Sequence, residues 1–135
     1  MKILLIEDDK RLSRFIAEAF PSDEVVIAGT LQMARAILVT LRPVLILVDL
    51  ALPDSEGMET LTALKEYSPP KVAFTAGQSG LSCEAAKLCA DYVRKGLDLA
   101  GLLARVRFNV ERYRPRARFE PETWEQLKAC LTCVR

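Results

Sequence analysis

Histidine is missing from all 135 residues. Of the four cysteines, Cys130 and Cys133 form a C-x-x-C. With neither a second such pair nor an imidazole, no zinc ligand set can be completed, and the two thiols read as small apolar residues on a terminal helix. A chain of this length can bury a core without staples, so Cys83, Cys89, Cys130 and Cys133 are not expected to form disulfides. Charge of one sign is also scarce: 19 Lys and Arg against 18 Asp and Glu leave a net +1, too little for a global field that would draw the chain to nucleic acid or to a membrane surface. Long apolar runs are absent. Met1 and Lys2 lead straight into a short apolar segment that ends in acids, which is neither a signal peptide nor a membrane span, so a cytoplasmic location is expected. No Gly-rich turn follows that segment, which argues against a nucleotide-binding loop.

What the chain does have is short runs of Val, Ile and Leu that end on reactive side chains. KILLI runs into Glu7 and Asp8, VLILV into Asp49, KVAF into Thr75 and DYVR into Lys95. Continuous aliphatic runs suit strands covered on both faces, and helical stretches between them give repeated βα units with a parallel sheet. The spacing predicts strands at 2–6, 24–28, up to 48, 71–75 and 91–94. It predicts helices at about 10–20, 30–41, 58–67, 82–89 and 98–113, the first capped by Asp9 and the second started by Thr30. Met33, Ala36, Ile37 and Leu41 are expected to share one face of the second helix. Leu99, Leu102, Leu103, Val106 and Val110 are expected to face the core from the last. Ligand chemistry in such sheets sits at the carboxyl ends of the strands. Three carboxylates, a hydroxyl and an amine converging there suit a divalent cation and a phosphoryl group.

MKILLIEDD, LILVDLALPDSEG, VAFTA and ADYVRKG, in register over about residues 1–113, resemble the signature segments of the receiver domain of bacterial two-component response regulators. The resemblance implies an α/β, flavodoxin-like (βα)5 doubly wound parallel sheet of strand order 2-1-3-4-5. It divides the chain into a receiver at 1–113, a basic linker at 114–120 and a helical extension at 121–135, where Trp124, Leu127 and Leu131 would share a face. That extension reads either as a helix packed back on its own domain or as a docking or dimer element.

Asp49 would be the phosphoacceptor, since a carboxylate can attack phosphorus directly and form an acyl phosphate without a base. Placed beside Glu7 and Asp8 it concentrates negative charge, and hard carboxylate oxygens select Mg²⁺. Carried over from the family, Asp8, Asp49 and the Ala51 backbone carbonyl would hold the metal directly, with Glu7 acting through water. Lys95 would pair with Asp49 at rest and with phosphoryl oxygens afterwards, and Thr75 would offer its hydroxyl to a phosphoryl oxygen. Tyr92 takes the family's place for the aromatic that turns inward when that hydroxyl moves. Ala51 and Gly77 are small enough to leave water an approach, so a short phosphorylated lifetime is expected.

The implied protein is a cytoplasmic, bacterial phosphorelay switch that catalyses its own phosphorylation and dephosphorylation, not an enzyme with an external product. Its donor would be a sensor histidine kinase or a histidine phosphotransfer protein, a role that the absence of histidine denies to this chain itself. Signal output would go to a downstream protein, or to a second copy in a homodimer, through the face made by the fourth helix, fifth strand and fifth helix, with Arg94, Arg105 and Arg112 beside apolar residues. Direct nucleic-acid binding is not expected, because residues 114–135 are too few for a helix-turn-helix domain. The Arg-rich segment RYRPRARF keeps open a receiver whose output domain is missing, and a phosphorylation-independent scaffold is a further alternative. An Asp-nucleophile hydrolase is disfavoured because no second acid stands two residues after Asp49. Gly96 replaces the Pro that many receivers carry after the active-site Lys, leaving the loop geometry there open, and Val44 stands where Asp is frequent.

Overall fold

The computed structural model describes residues 1–76, 82–96 and 98–116, together with positions 125, 128 and 129. Gly77, the Cys130/Cys133 pair and the apolar face of the expected C-terminal helix lie outside the described residues.

The sheet strands are β1 (Lys2–Ile6), β2 (Glu24–Ala28), β3 (Leu45–Asp49), β4 (Lys71–Thr75) and β5 (Asp91–Arg94), all parallel, in the order β2-β1-β3-β4-β5. This is the expected doubly wound order. The helices between and after them are α1 (Lys10–Glu18), α2 (Leu31–Leu38), α3 (Gly57–Leu64), α4 (Cys83–Leu88) and α5 (Leu99–Tyr113). Among the described residues no helix is long and apolar enough to cross a membrane.

Period-two alternation divides the aliphatic strands between two cores. Leu4, Ile6, Ile46, Val48 and Ala73 pack against Leu31, Ala34 and Leu38 of α2, Leu61 and Leu64 of α3, and Ala85 of α4. On the other face, Ile3, Leu5, Leu45, Leu47, Val72, Phe74 and Val93 meet Ile16 of α1 and Leu102, Val106 and Val110 of α5. Each Val, Leu, Ile or Phe among them contributes roughly 1.5–3 kcal/mol when fully buried. The three central strands need both layers, which is why their sequences run apolar without interruption.

Helix starts follow local chemistry. Asp9 accepts the Arg11 and Leu12 amides, Thr30 that of Met33, Ser82 that of Ala85 and Asp98 that of Gly101. Two apolar faces differ from expectation. In α2 the buried positions are Leu31, Ala34 and Leu38, with Ile37 and Leu41 partly buried, whereas Met33 and Ala36 face solvent. The helix starts right after its Thr30 cap and is therefore rotated so that the i, i+3, i+7 row from Leu31 meets the sheet. In α5, Leu99 is exposed and the fully buried Asn109 takes a core position, its amide donating to Asp91 Oδ2 at 2.9 Å and to the Arg105 carbonyl at 3.0 Å. α1 and α3 are also shorter than expected at their C-terminal ends.

The end of α5 is fastened to the opposite edge of the sheet. Arg114 donates to both oxygens of Asp23 at 2.8 and 2.9 Å, and the Met1 amine donates to the same carboxylate at 2.8 Å. The Arg114 guanidinium, helped by the amine, holds the Asp23 carboxyl down at about 2. A carboxyl below its usual value stabilises the fold above about pH 4, and that contribution disappears as pH falls through 2. Asp23→Asn should therefore cost about 1–2 kcal/mol at neutral pH after allowance for solvent screening, and the two proteins should converge in acid. Urea titrations of both proteins between about pH 2 and 7 check this, and a gap independent of pH would mean the pair contributes nothing through its charge.

Candidate functional site

β1 and β3 are neighbours in the sheet, with Ile6 opposite Val48, so the residues that follow their ends emerge side by side. Glu7 and Asp8 leave the end of β1, and Asp49 is the last residue of β3, opposite Phe74 of β4. One oxygen from each of Glu7, Asp8 and Asp49 falls within 4.8 Å of the others. Glu7 and Asp49 are buried at 2% and 3% exposure, and Asp8 is open to solvent. The sequence-expected acidic cluster is thus assembled, with two members inside and one at the mouth.

Lys95, just past β5, reaches across the strand ends. Its Nζ lies 2.7 Å from Asp49 Oδ2 and 2.7 Å from Glu7 Oε2. Its own N–H donates to the Thr75 carbonyl at 2.7 Å, which ties the lysine to the strand that carries the expected hydroxyl. Burial pushes the Glu7 carboxyl up to about 7; the Lys95 contact opposes this, and the Asp49 charge adds to it. For Lys95, burial acts against the ammonium, but its contacts with Asp49 and Glu7 and their negative charge together outweigh burial and raise the pKa. Two buried carboxylates sharing one ammonium are left with an excess of negative charge, which favours either a proton on Glu7 or an added cation.

Of the other expected residues, Thr75 and Ala51 lie at this same sheet edge, and Tyr92 sits further back along β5. Thr75 ends β4, opposite Arg94, and is half-buried. Ala51 is exposed, and its amide donates to Asp49 Oδ1 at 3.0 Å, fixing the carboxylate's orientation. Tyr92 is opposite Ala73 on β5 and 44% exposed, so its ring faces outward. Gly96 follows Lys95 with φ of +95°, a conformation that suits glycine and answers the question left by the absent proline.

The loop after Asp49 is itself ordered by hydrogen bonds. Ala51–Leu52 and Ser55–Glu56 form a two-residue antiparallel ladder, closed by the Gly57 N–H on the Leu50 carbonyl at 2.7 Å. Gly57 takes φ of +49°, again suited to glycine. Ser55 and Thr60 share a buried hydroxyl contact at 2.8 Å. Asp54, which reads in sequence as a turn residue after Pro53, instead accepts amides from α2, and no sequence spacing signals so remote a partner.

The residues fit a hard divalent cation: the donors are carboxylate oxygens from three positions, no soft or nitrogen ligand is among them, and the resident ammonium leaves their charge uncompensated. An open flank lined by Ala51, Gly57, Met58, Thr75 and Ala76 adjoins Asp49. A second hollow on the other side of Lys95 is lined by Leu12 and Phe15 of α1 with Gly96 and Leu99.

A family model described as the response regulator receiver domain matches residues 3–107. The chain is 34% identical over 116 residues to the KDP operon transcriptional regulatory protein KdpE of Escherichia coli, an alignment covering 82% of this chain and 52% of that protein. The chain therefore spans about half the length of the curated relatives it matches. Among solved structures it is similar to the phosphorylated cyanobacterial phytochrome response regulator RcpA, with TM-score 0.71 and 29% identity over 89% of this chain and 98% of that one. The Mn²⁺-bound form of response regulator Rcp1 matches with TM-score 0.69 and 29% identity over the same shares.

Proposed function

Because the chain belongs to the response regulator receiver domain family, we propose that it is a phosphorylation-controlled switch in which Asp49 accepts a phosphoryl group from a phosphohistidine on another protein. The observation that carries this reading is the ammonium of Lys95 held 2.7 Å from the buried Asp49 and Glu7 carboxylates at the edge where Asp8 and Thr75 also emerge. Nucleophile, charge balance and hydroxyl donor occupy one site, and none of these roles is left without a residue.

An Asp49 carboxylate oxygen attacks phosphorus, forming a P–O bond as the P–N bond to the donor imidazole breaks and that imidazole takes up a proton. Asp8, Asp49 and the Ala51 carbonyl would hold Mg²⁺, with Glu7 acting through water, and the ion would offset the carboxylates' repulsion of an anionic donor. Lys95 is positioned to exchange its contact with the Asp49 carboxylate for one with a phosphoryl oxygen. Thr75 supplies a hydroxyl to another oxygen once the phosphoryl group is in place. The chain catalyses its own phosphorylation in this sense. The apolar rim of Leu12, Phe15 and the exposed Leu99 beside Lys95 suits a protein donor, such as a sensor histidine kinase or a histidine phosphotransfer protein.

Output runs through the α4-β5-α5 face, where Tyr92 is outward at rest and Arg105 pairs with Asp91 at 2.8 Å. A swing from mostly off to mostly on requires about 5.5 kcal/mol of preference for one packing. That preference would come from the phosphoryl contacts of Thr75 and Lys95. The partner is a downstream protein or a second copy of the chain.

Intact-mass spectrometry with Mg²⁺ and a small phosphodonor tests the reading. A single labile adduct, absent under chelation, supports it, and no adduct at any time point sinks it. Loss of the label by water attack on phosphorus regenerates the Asp49 carboxylate and releases inorganic phosphate. In the family the position of Gly77 flanks the water's approach; on that carry-over Gly77→Tyr should slow this loss several-fold, and an unchanged decay rate would remove that account of lifetime. A second reading, the receiver portion of a longer regulator, is favoured by the chain's spanning about half of its curated relatives. It shares the Asp49 chemistry and differs only in the output.

A further inference from the structure

One carboxylate within the loop between β3 and α3 ties that loop to α2. Asp54 Oδ1 accepts the Leu31 N–H and Oδ2 the Gln32 N–H, each at 2.9 Å, closing two of the free amides at the start of α2. The helix already has a local cap, because Thr30 Oγ1 accepts the Met33 N–H at 3.0 Å. What Asp54 adds is a tie between α2 and the loop that carries Ala51.

Both ends of this tie lead back to the acidic site. The start of α2 follows β2, whose last carbonyl, that of Ala28, accepts the Glu7 N–H at 2.9 Å. At the other end, the ladder pairs Leu52 with Ser55 and Ala51 with Glu56, and the Ala51 amide donates to Asp49 Oδ1 at 3.0 Å. A closed circuit of hydrogen bonds and short chain segments thus joins Glu7, Ala28, the first turn of α2, Asp54, the ladder and Asp49. Cutting it at Asp54 leaves the loop secured through its base, where the Leu50 N–H meets the Phe74 carbonyl at 3.1 Å.

We propose that Asp54 is a positioning residue for the cation site, holding the Ala51 segment in register with the β1 acids by anchoring the loop to the first turn of α2. The proposal rests on the reading of this site as Mg²⁺-dependent. Mg²⁺ tolerates little deviation from octahedral geometry, so a loop donor that wanders weakens binding. Partners that orient metal donors from outside are typically worth about 10-fold or more in metal affinity.

The test is calorimetric Mg²⁺ binding to the unphosphorylated full chain as wild type, Asp54→Ala, Asp54→Asn and Thr30→Ala, with thermal unfolding of each. Asp54→Ala should weaken Mg²⁺ binding about 10-fold, and Asp54→Asn, which keeps one acceptor oxygen, by less. Thr30→Ala removes a cap from the same helix without touching the loop, so it should lower thermal stability while binding Mg²⁺ as wild type does. Equal weakening in Asp54→Ala and Thr30→Ala would reduce Asp54 to a helix cap, and wild-type affinity in Asp54→Ala would likewise overturn the proposal. Label incorporation on the same samples separates the two ideas. A wild type that binds Mg²⁺ but takes no label defeats the phosphoacceptor reading while the affinities still decide the role of Asp54, and a wild type that binds no Mg²⁺ defeats both.

Discussion

Asp49→Asn will take up no phosphoryl group and will make the metal-free protein more stable. The two effects share one cause. Asn is close to Asp in size and keeps a carbonyl oxygen for the Ala51 amide, which meets Asp49 Oδ1 at 3.0 Å, so the local geometry is preserved while the proposed nucleophile is lost. In the unsubstituted site one ammonium faces two buried carboxylates, and the Asp49 charge is among the causes that raise Glu7. Removing that charge leaves Lys95 paired with Glu7 alone. Relief of such repulsion at a functional site is worth about 1–2 kcal/mol. Intact mass read beside a urea titration at neutral pH, without Mg²⁺, checks both halves. Label on the variant would mean another side chain accepts the phosphoryl group, and a loss of stability would mean the Asp49–Lys95 pair is a net structural asset.

Much of this architecture was legible because two simple signals agree. Uninterrupted aliphatic runs at KILLI, LILV and KVAF mark strands covered on both faces, and reactive side chains at their ends mark one sheet edge. Parallel pairing then carries Glu7, Asp8, Asp49, Thr75 and Lys95 to that edge whatever the loops do, as the register of Ile6 with Val48 and of Asp49 with Phe74 bears out. Strand order has no period in the sequence. It came with the resemblance, and the order found in the sheet agrees.

Other features were hidden for identifiable reasons. The buried face of α2 is set by where Thr30 starts the helix, and a shift of one residue turns a short amphipathic helix by about 100°, which is enough to expose Met33 and bury Ala34. Nothing in the sequence marks Asn109 as buried, and only the fold places Asp91 within reach of its amide at 2.9 Å. Asp54 looks like ordinary turn chemistry, since Asp after Pro is common there. Its partners Leu31 and Gln32 lie more than twenty residues away and only the fold brings them near. Each of these is a long-range polar or rotational detail to which hydrophobic periodicity is blind.

Lys95→Met should cost about 3 kcal/mol at a pH near 8 and less near pH 5. Burial already raises the Glu7 carboxyl from 4.5 to about 7, with Lys95 among the groups holding it down. A raised carboxyl pKa means the folded protein binds the proton more tightly than the unfolded chain does, so stability falls as pH climbs from about 4.5 to the folded value. In the unsubstituted protein that fall is over soon after pH 7. Without the ammonium the folded value moves higher still, and the fall continues into alkaline solution. Near pH 5 Glu7 is protonated in both proteins and only Asp49 loses its charged partner, so the gap is smaller; near pH 8 two carboxylates, 2% and 3% exposed, stand unpaired in the variant and the gap is widest. Mg²⁺ at saturating concentration should narrow the gap at the higher pH by returning positive charge to the pocket. Urea titrations at the two pH values, with and without Mg²⁺, decide the matter. A penalty that is equal at both, and indifferent to the ion, would assign the loss to packing of the lysine stem and leave the charge balance at Asp49 to be explained by something other than Lys95.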